Sequence, residues 1–440
     1  MAKEKLTIAQ RLNNRKYKIP SNLTWAFYAA LARSPFFGPK YHVTYKKIDD
    51  INKYKGPAFI LFNHQSRRDY LFLKNLIAPH KFNMVASYQE FFRKKFNFLF
   101  RVGQVIPKKM FTTDPKGVRA IDSIIKQGGT VAFSPEGTSS IFGYNQPIVP
   151  GTGRFLQYYG VPVYLMKLEG SYLTSHKVDI KDRIGKVYAT LSILFTPEQL
   201  KSMSPQEIDD KINEAMRQDD YKWNKTARIK YKSKGKILTN MNDMLYKCPR
   251  CGKELCIDTT GRTLRCLECG NGGTMDDYYD WHPFDETCKL FDTPTDWVDW
   301  ERVDIIHEIR ENPDYFIKEE VKLGKMPDYE YIKDNNATSV PCGHGKIRFD
   351  HDGIHFEGIK DNEPWKFNLS YSSTNTLIIE NDLTIFGLYV NGMVYDFTPS
   401  RHIVGKLILL TEEMHRLHFN TWKNFPWNDW MYKGTELEKK

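Results

Sequence analysis

Leu23, Phe27 and Leu31 recur at four-residue intervals with Trp25 and Tyr28 beside them, a spacing that predicts a short amphipathic helix ended by Pro35. From Lys55 the pattern changes to short apolar runs alternating with stretches of helical period. It predicts strand 57–62, helix 68–78, strand 83–87, helix 89–100 and strand 102–106, then helix 116–127, strand 129–133, helix 152–159, and strands 161–168 and 187–195. Strands alternating with helices predict an α/β domain, a central sheet flanked by helices, whose working residues gather beyond the carboxyl ends of the strands.

The second half follows a different rhythm. Residues 201–245 are polar and lysine-rich, with Lys230-Tyr231-Lys232-Ser233-Lys234-Gly235-Lys236 in the middle, and read as a connecting segment with some helix. Residues 276–335 are acidic and aromatic, and Asp296-Trp297-Val298-Asp299-Trp300-Glu301 opens a helix running to about Glu311. Beyond Asn335, Asp352-Gly353 and Asn391-Gly392 each sit between β-prone triplets and predict hairpins. Ile403, Leu407, Leu410, Met414 and Leu417 then predict a closing amphipathic helix. Meandering strands closed by one helix resemble, in architecture, a PH or GRAM domain.

Charge sharpens this picture. Residues 1–120 hold 24 Lys and Arg against 6 Asp and Glu, while the whole chain carries only +11. So basic a half points to an anionic partner, whether membrane surface, phosphorylated substrate or nucleic acid. The segment 89–100 carries Phe92, Phe96, Leu99 and Phe100 with Arg93, Lys94, Lys95 and Arg101 around them. It reads either as core or as a membrane-contacting face. The aromatic helix behind the basic stretch Arg11 to Lys18 has the same two readings. No run reaches the roughly 18 apolar residues of a membrane span, and Met1-Ala2-Lys3-Glu4-Lys5-Leu6 lacks the apolar core of an export signal. The expectation is a cytoplasmic protein, peripheral on the inner face of the membrane.

Four of the seven cysteines form two Cys-x-x-Cys pairs, Cys248/Cys251 and Cys266/Cys269, separated by a β-prone spacer. That spacing predicts a zinc ribbon, with four thiolates closing a tetrahedral site and no open position for catalysis, so the zinc is expected to be structural. Cys256, Cys288 and Cys342 lack such spacing and read as plain thiols.

The candidate chemistry lies at two turns. Phe62-Asn63-His64-Gln65-Ser66-Arg67-Arg68-Asp69 follows the apolar run Ala58-Phe59-Ile60-Leu61. On one regular helix His64 and Asp69 would lie about 140° apart, so the motif must straddle a strand-to-helix turn. There Asp69 can fold back on the imidazole, fix its tautomer and leave the other ring nitrogen for a substrate proton. The second turn, Phe133-Ser134-Pro135-Glu136-Gly137-Thr138-Ser139-Ser140, follows the β-like run Gly129-Thr130-Val131-Ala132. Two such elbows suggest one shared site.

This pairing of Asn-His-x4-Asp with a Pro-Glu-Gly-Thr loop, followed by Gly160-Val161-Pro162-Val163, resembles the glycerolipid acyltransferases of the PlsC type over roughly residues 20–200. The resemblance implies transfer of a fatty acyl group from acyl-CoA or acyl carrier protein to the hydroxyl of a lysophospholipid, 1-acylglycerol 3-phosphate above all. It implies His64 as general base and Asp69 as its orienting partner. Glu136, Gly137, Thr138 and Ser139 then position the acceptor headgroup. The family's phosphate-binding arginines are replaced here by the Lys108-Lys109 pair and by Ser139, with Arg101, Arg119 and Arg154 as cations that could compensate. The implied organisation is an acyltransferase domain over 1–205, a linker over 206–245 and a zinc ribbon over 246–272. A helical segment over 273–335 and a β domain with its helix over 336–425 complete it. Two rivals remain: a nucleic-acid-binding ribbon protein, which leaves both elbows unexplained, and an inactive acyltransferase fold that binds lipid.

Overall fold

The computed structural model describes residues 5–34, 41–179, 181–379 and 382–419. Pro35 as a helix stop, the chain's opening residues Met1–Glu4, and positions 420–425 of the expected last domain lie outside them.

The first half runs α1 (Ile8–Asn13), α2 (Asn22–Arg33), β1 (Val43–Lys47), β2 (Ala58–Phe62), α3 (Asp69–Ile77), β3 (Asn83–Ser87), α4 (Lys94–Val102) and β4 (Ile106–Lys108). It continues with α5 (Pro115–Lys126), β5 (Thr130–Phe133), α6 (Thr152–Tyr159), β6 (Val163–Glu169), β7 (Val187–Phe195), α7 (Pro197–Ser202), α8 (Pro205–Met216) and α9 (Asp220–Ala227). Seven strands form one sheet in the order β1-β7-β6-β2-β5-β3-β4. All neighbours pair in parallel except β6 and β7. The starts of β1 and β7 therefore share one edge of the sheet with the carboxyl ends of the other five strands.

Alternation along β2 explains why its run is apolar throughout. Phe59 and Leu61 enter a core on one face, with Ile121, Ile124, Leu156 and Val163. Ala58, Ile60 and Phe62 enter a core on the other, with Phe72, Leu76 and Met166. The expected helix 89–100 is split: a 3-10 turn covers Tyr88–Phe92, and α4 begins at Lys94. The cause is remote in sequence, because Lys94 N donates to Ile332 O and Ile332 N to Phe92 O, which holds Arg93 extended. Val102 ends α4 and the next strand starts only at Ile106, with Gln104 turning the chain at positive φ.

The stretch expected to link the halves contributes to the core of the first. Ile208, Ile212 and Met216 of α8 are fully buried beside α6. The α2 stripe is mostly turned outward, with Leu23 84% and Phe27 46% exposed, and Phe98 of α4 is 66% exposed. No described helix is long and apolar enough to cross a membrane.

A small four-stranded sheet follows, made of β8 (Ile257–Thr260), β9 (Thr263–Cys266), β10 (Gly272–Met275) and β11 (Trp281–Pro283). Then come α10 (Pro294–Glu311), β12 (Phe316–Lys325), β13 (Val340–Asp350), β14 (Gly353–Lys360), β15 (Glu363–Leu369), β16 (Phe386–Val390), β17 (Met393–Pro399) and α11 (Val404–His418). Six antiparallel strands in the order β15-β14-β13-β12-β17-β16 make the expected mostly-β domain, closed by α11. One core joins this half to the first, since Ile141, Phe142, Tyr144, Tyr172 and Leu173 pack in the same cluster as Trp297, Phe397 and Leu407.

Candidate active site at the strand ends

The loop after β2 turns sharply into α3, and Asp69 sits in the first turn of that helix, fully buried. Its Oδ2 accepts hydrogen bonds from His64 Nδ1 at 2.8 Å, Gln65 N at 2.7 Å and Ser66 N at 2.9 Å. Its Oδ1 accepts from Ser66 Oγ at 3.0 Å and Ser171 Oγ at 2.7 Å. The carboxylate can only accept, so His64 donates through Nδ1 and its Nε2 is left as an acceptor. The imidazole remains 32% exposed, enough for a substrate to reach it. Asn63 fixes the base of the elbow: its amide pairs with Leu168 of β6, donating to the carbonyl at 2.8 Å and accepting from the N–H at 2.7 Å.

The loop after β5 lies against this elbow and is bonded to its backbone. Glu136 Oε1 accepts from His64 N at 2.8 Å, Ser140 N donates to His64 O at 2.7 Å, and Glu136 Oε2 accepts from Gln146 N at 2.8 Å. Burial pushes the Glu136 carboxyl well above the ordinary glutamate range, against the pull of the two amides. Its place is therefore structural, holding the two loops together beneath the histidine. Gly137 turns with φ +77° and lies against the Phe111 ring, which a Cβ would meet at 3.0 Å.

Two of the expected cations are engaged elsewhere and a third is exposed. Lys108 ends β4 and Lys109 follows it, three strand spacings from β2, or about 14 Å. Lys108 Nζ donates to Lys109 O, and Lys109 Nζ donates to Gly392 O and lies over the Tyr88 and Tyr389 rings. Arg101 is an exposed residue in the last turn of α4, where its carbonyl accepts from Arg15. A different cation reaches the second elbow: buried Lys177 donates from Nζ to Ser139 Oγ at 3.0 Å. Thr138 and Ser139 are themselves nearly buried.

Sequence reasoning missed Ser171, Lys177 and Asp220. Asp220 accepts from the N–H groups of Gly170 and Tyr172, at 2.9 and 2.8 Å, and so fixes the turn that carries Ser171. None of the three carries a local pattern, because their partners lie tens of residues away.

At the small sheet, Cys248, Cys251, Cys266 and Cys269 converge as a possible metal site. Cys248 and Cys269 have their Sγ atoms 3.7 Å apart, as do Cys251 and Cys266. A tetrahedron with metal–sulfur bonds of about 2.3 Å has edges of about 3.8 Å, so the four thiols fit a zinc ion. Cys256, expected as a plain thiol, lies close by, with its Sγ 3.5 Å from that of Cys266.

Residues 42–166 match the family model described as Acyltransferase, a span that includes both elbows. Among solved structures the chain is similar to the 1-acyl-sn-glycerophosphate (LPA) acyltransferase PlsC from Thermotoga maritima, with 19% identity and a TM-score of 0.34. That similarity covers 44% of this chain and 75% of the other. No curated protein matches.

Proposed function

From the acyltransferase-like domain over residues 42–166, we propose that the protein transfers a fatty acyl group from a thioester, acyl-CoA or acyl carrier protein, to the hydroxyl of a lysophospholipid. The acceptor we favour is 1-acylglycerol 3-phosphate. The single observation that carries the reading is the His64 Nδ1–Asp69 Oδ2 bond of 2.8 Å at a strand end, with the ring edge accessible. Nε2 takes the hydroxyl proton as the oxygen attacks the thioester carbonyl carbon. The carbon–sulfur bond then breaks, and the imidazolium returns the proton to the leaving thiolate. Asp69 orients the ring and stabilises the imidazolium. A positioned base contributes typically about 10²–10⁴-fold. The backbone amides of Gly137, Thr138 and Ser139 are suited to the developing oxyanion, and Lys177, bonded to Ser139, brings a cation to the position where the resembling family carries arginine.

The enzyme in this reading docks reversibly on anionic membrane through the exposed Leu23, Phe27 and Phe98 and the surrounding lysines and arginines. Each basic residue near such a surface contributes about 1 kcal/mol, so vesicle binding should need anionic lipid and weaken with salt. The four-cysteine cluster would hold one structural zinc, which elemental analysis tests. The chemistry is tested by thiol release from acyl-CoA with a panel of lysolipids. Wild type should turn over at least one acceptor and His64→Ala should lose about 10²-fold or more; equal turnover by the two would sink the assignment.

A further inference from the structure

A cleft of about 430 Å³ opens at the starts of β1 and β7, lined by His42, Ile184, Lys186, Ile229, Lys230 and Lys232. It lies outside the elbows, yet on their edge of the sheet. β6 and β7 are antiparallel, so the start of β7 stands beside the carboxyl end of β6, and β2 is the next strand. Two strand spacings, about 10 Å, separate β7 from the His64 strand, and three, about 14 Å, separate β1 from it.

The cleft has a fixed floor and a charged rim. Gly185 lies directly on the buried Tyr231 ring, so close that a Cβ would meet Tyr231 Cδ1 at 2.1 Å. An antiparallel bridge between Ile184 and Lys232, with Ile184 N donating to Lys232 O and Lys232 N to Ile184 O, holds the two walls together. The three lysines and His42 are exposed. Lys230 has Asp277 at 3.9 Å, and Lys186 Nζ lies over the Tyr188 ring at 4.8 Å. Among the described residues no carboxylate pairs with Lys186 or Lys232. Three ammonium groups around one concavity repel one another, and that cost is recovered when a polyanion enters.

We propose that this cleft binds the phosphate groups of coenzyme A, so that the acyl-pantetheine arm runs along the strand ends to His64. The proposal rests on the acyl-transfer reading for its ligand class. Pantetheine is a flexible chain able to span the two or three strand spacings between cleft and elbow. Ile184 and Ile229 offer apolar surface to a planar base, while the lysines meet the phosphates as point charges.

Direct binding of coenzyme A to the full chain, measured by titration calorimetry, tests this apart from catalysis. Wild type and His64→Ala should bind with equal Kd. Lys186→Glu/Lys232→Glu should weaken binding at least tenfold, Lys186→Arg/Lys232→Arg should retain it, and unphosphorylated pantetheine should ignore all these changes. In turnover, the charge-reversed variant should raise KM for acyl-CoA and leave kcat unchanged. Equal coenzyme A affinity in wild type and the charge-reversed variant would overturn the proposal, as would absence of coenzyme A binding alongside turnover of an acyl carrier protein thioester. Lysine-dependent coenzyme A binding without any acyl transfer would instead sink the catalytic reading and leave the cleft assignment standing.

Discussion

The buried Asp69 carboxylate is held mainly from within its own loop, whereas the loop after β5 is tied to the rest of the molecule as well as to itself. Of the five donors that converge on Asp69, four come from His64, Gln65 and Ser66 and only Ser171 is remote. Glu136 and Ser139, by contrast, are held from outside their loop by His64 and Lys177, with Gln146 adding a bond from within it. Residues 141–144 are buried in the core shared with the C-terminal half, and Tyr144 sits against Arg302. Reactive groups can thus be set by a short local motif. Their support is drawn from a second body of structure, the small cysteine-bearing sheet and the helix-closed β domain, which packs against the candidate site from outside the domain that carries it.

The strongest way to break this arrangement is to remove the zinc proposed for the four cysteines. Structural zinc in isolated fingers contributes roughly 10 kcal/mol or more of folding free energy. Chelation should therefore lower the thermal midpoint sharply and release the second elbow with the ribbon. An unchanged midpoint after verified zinc removal would show that the cysteines close without help.

Arg302→Ala comes next. The guanidinium is wholly buried between Glu412 and Glu413, with its donors 2.7 and 3.0 Å from the carboxylates. Glu413 keeps its pair with Arg416 at 2.9 Å, but Glu412 is left buried without a cation, which should cost about 3–5 kcal/mol in urea unfolding. A loss below about 1 kcal/mol would mean that packing and the remaining Lys406–Glu308 pair suffice to join α10 and α11.

Ser171→Ala removes the one remote donor to Asp69. It should cost about 1.5–3 kcal/mol, the range for hydrogen bonds to charged groups, and lower turnover less than Asp69→Asn does. If Ser171→Ala and Asp69→Asn lower turnover equally, the first elbow is not the local construction described.

A separate signature lies in the pH dependence. Burial lifts Asp220 from an ordinary 3.8 to about 7 in the folded protein, against the donors that surround it. Between those values the folded state binds more protons, so this group's contribution to stability falls as pH rises from about 4 to 7. Buried His176, whose pKa burial pushes well below 6.5, contributes the opposite slope, with stability lost as pH falls below that value. Asp220→Asn should remove the falling component, seen as urea midpoints that drop less between pH 5 and 7 than in wild type.

The same contrast decides what the sequence could reveal. The His64 elbow is contiguous, and the apolar run Ala58-Phe59-Ile60-Leu61 before it identifies a strand, so strand, turn and bonding partner are all legible within twelve residues. The cysteine pairs are legible for the same reason. Lys177 and Ser171 carry no local pattern, because each matters only through a residue 38 or 102 positions away. Lys108 and Lys109 fitted the motif by position, yet the strand order sets them at the far end of the sheet, where Gly392 takes the Lys109 ammonium. Strand order is a property of the whole chain, and no window of residues contains it.

Hydrogen exchange at single amides of the full chain, in wild type and Arg302→Ala, tests the central contrast most directly. Ser140 N and Gln146 N, bonded to His64 O and to Glu136, should lose protection in step with α11. A loss of about 3 kcal/mol corresponds to more than a hundredfold faster exchange. Gln65 N and Ser66 N, bonded to Asp69 within their own turn, should keep more of theirs. Equal loss at both elbows, or unchanged protection at Ser140 when α11 opens, would contradict the account.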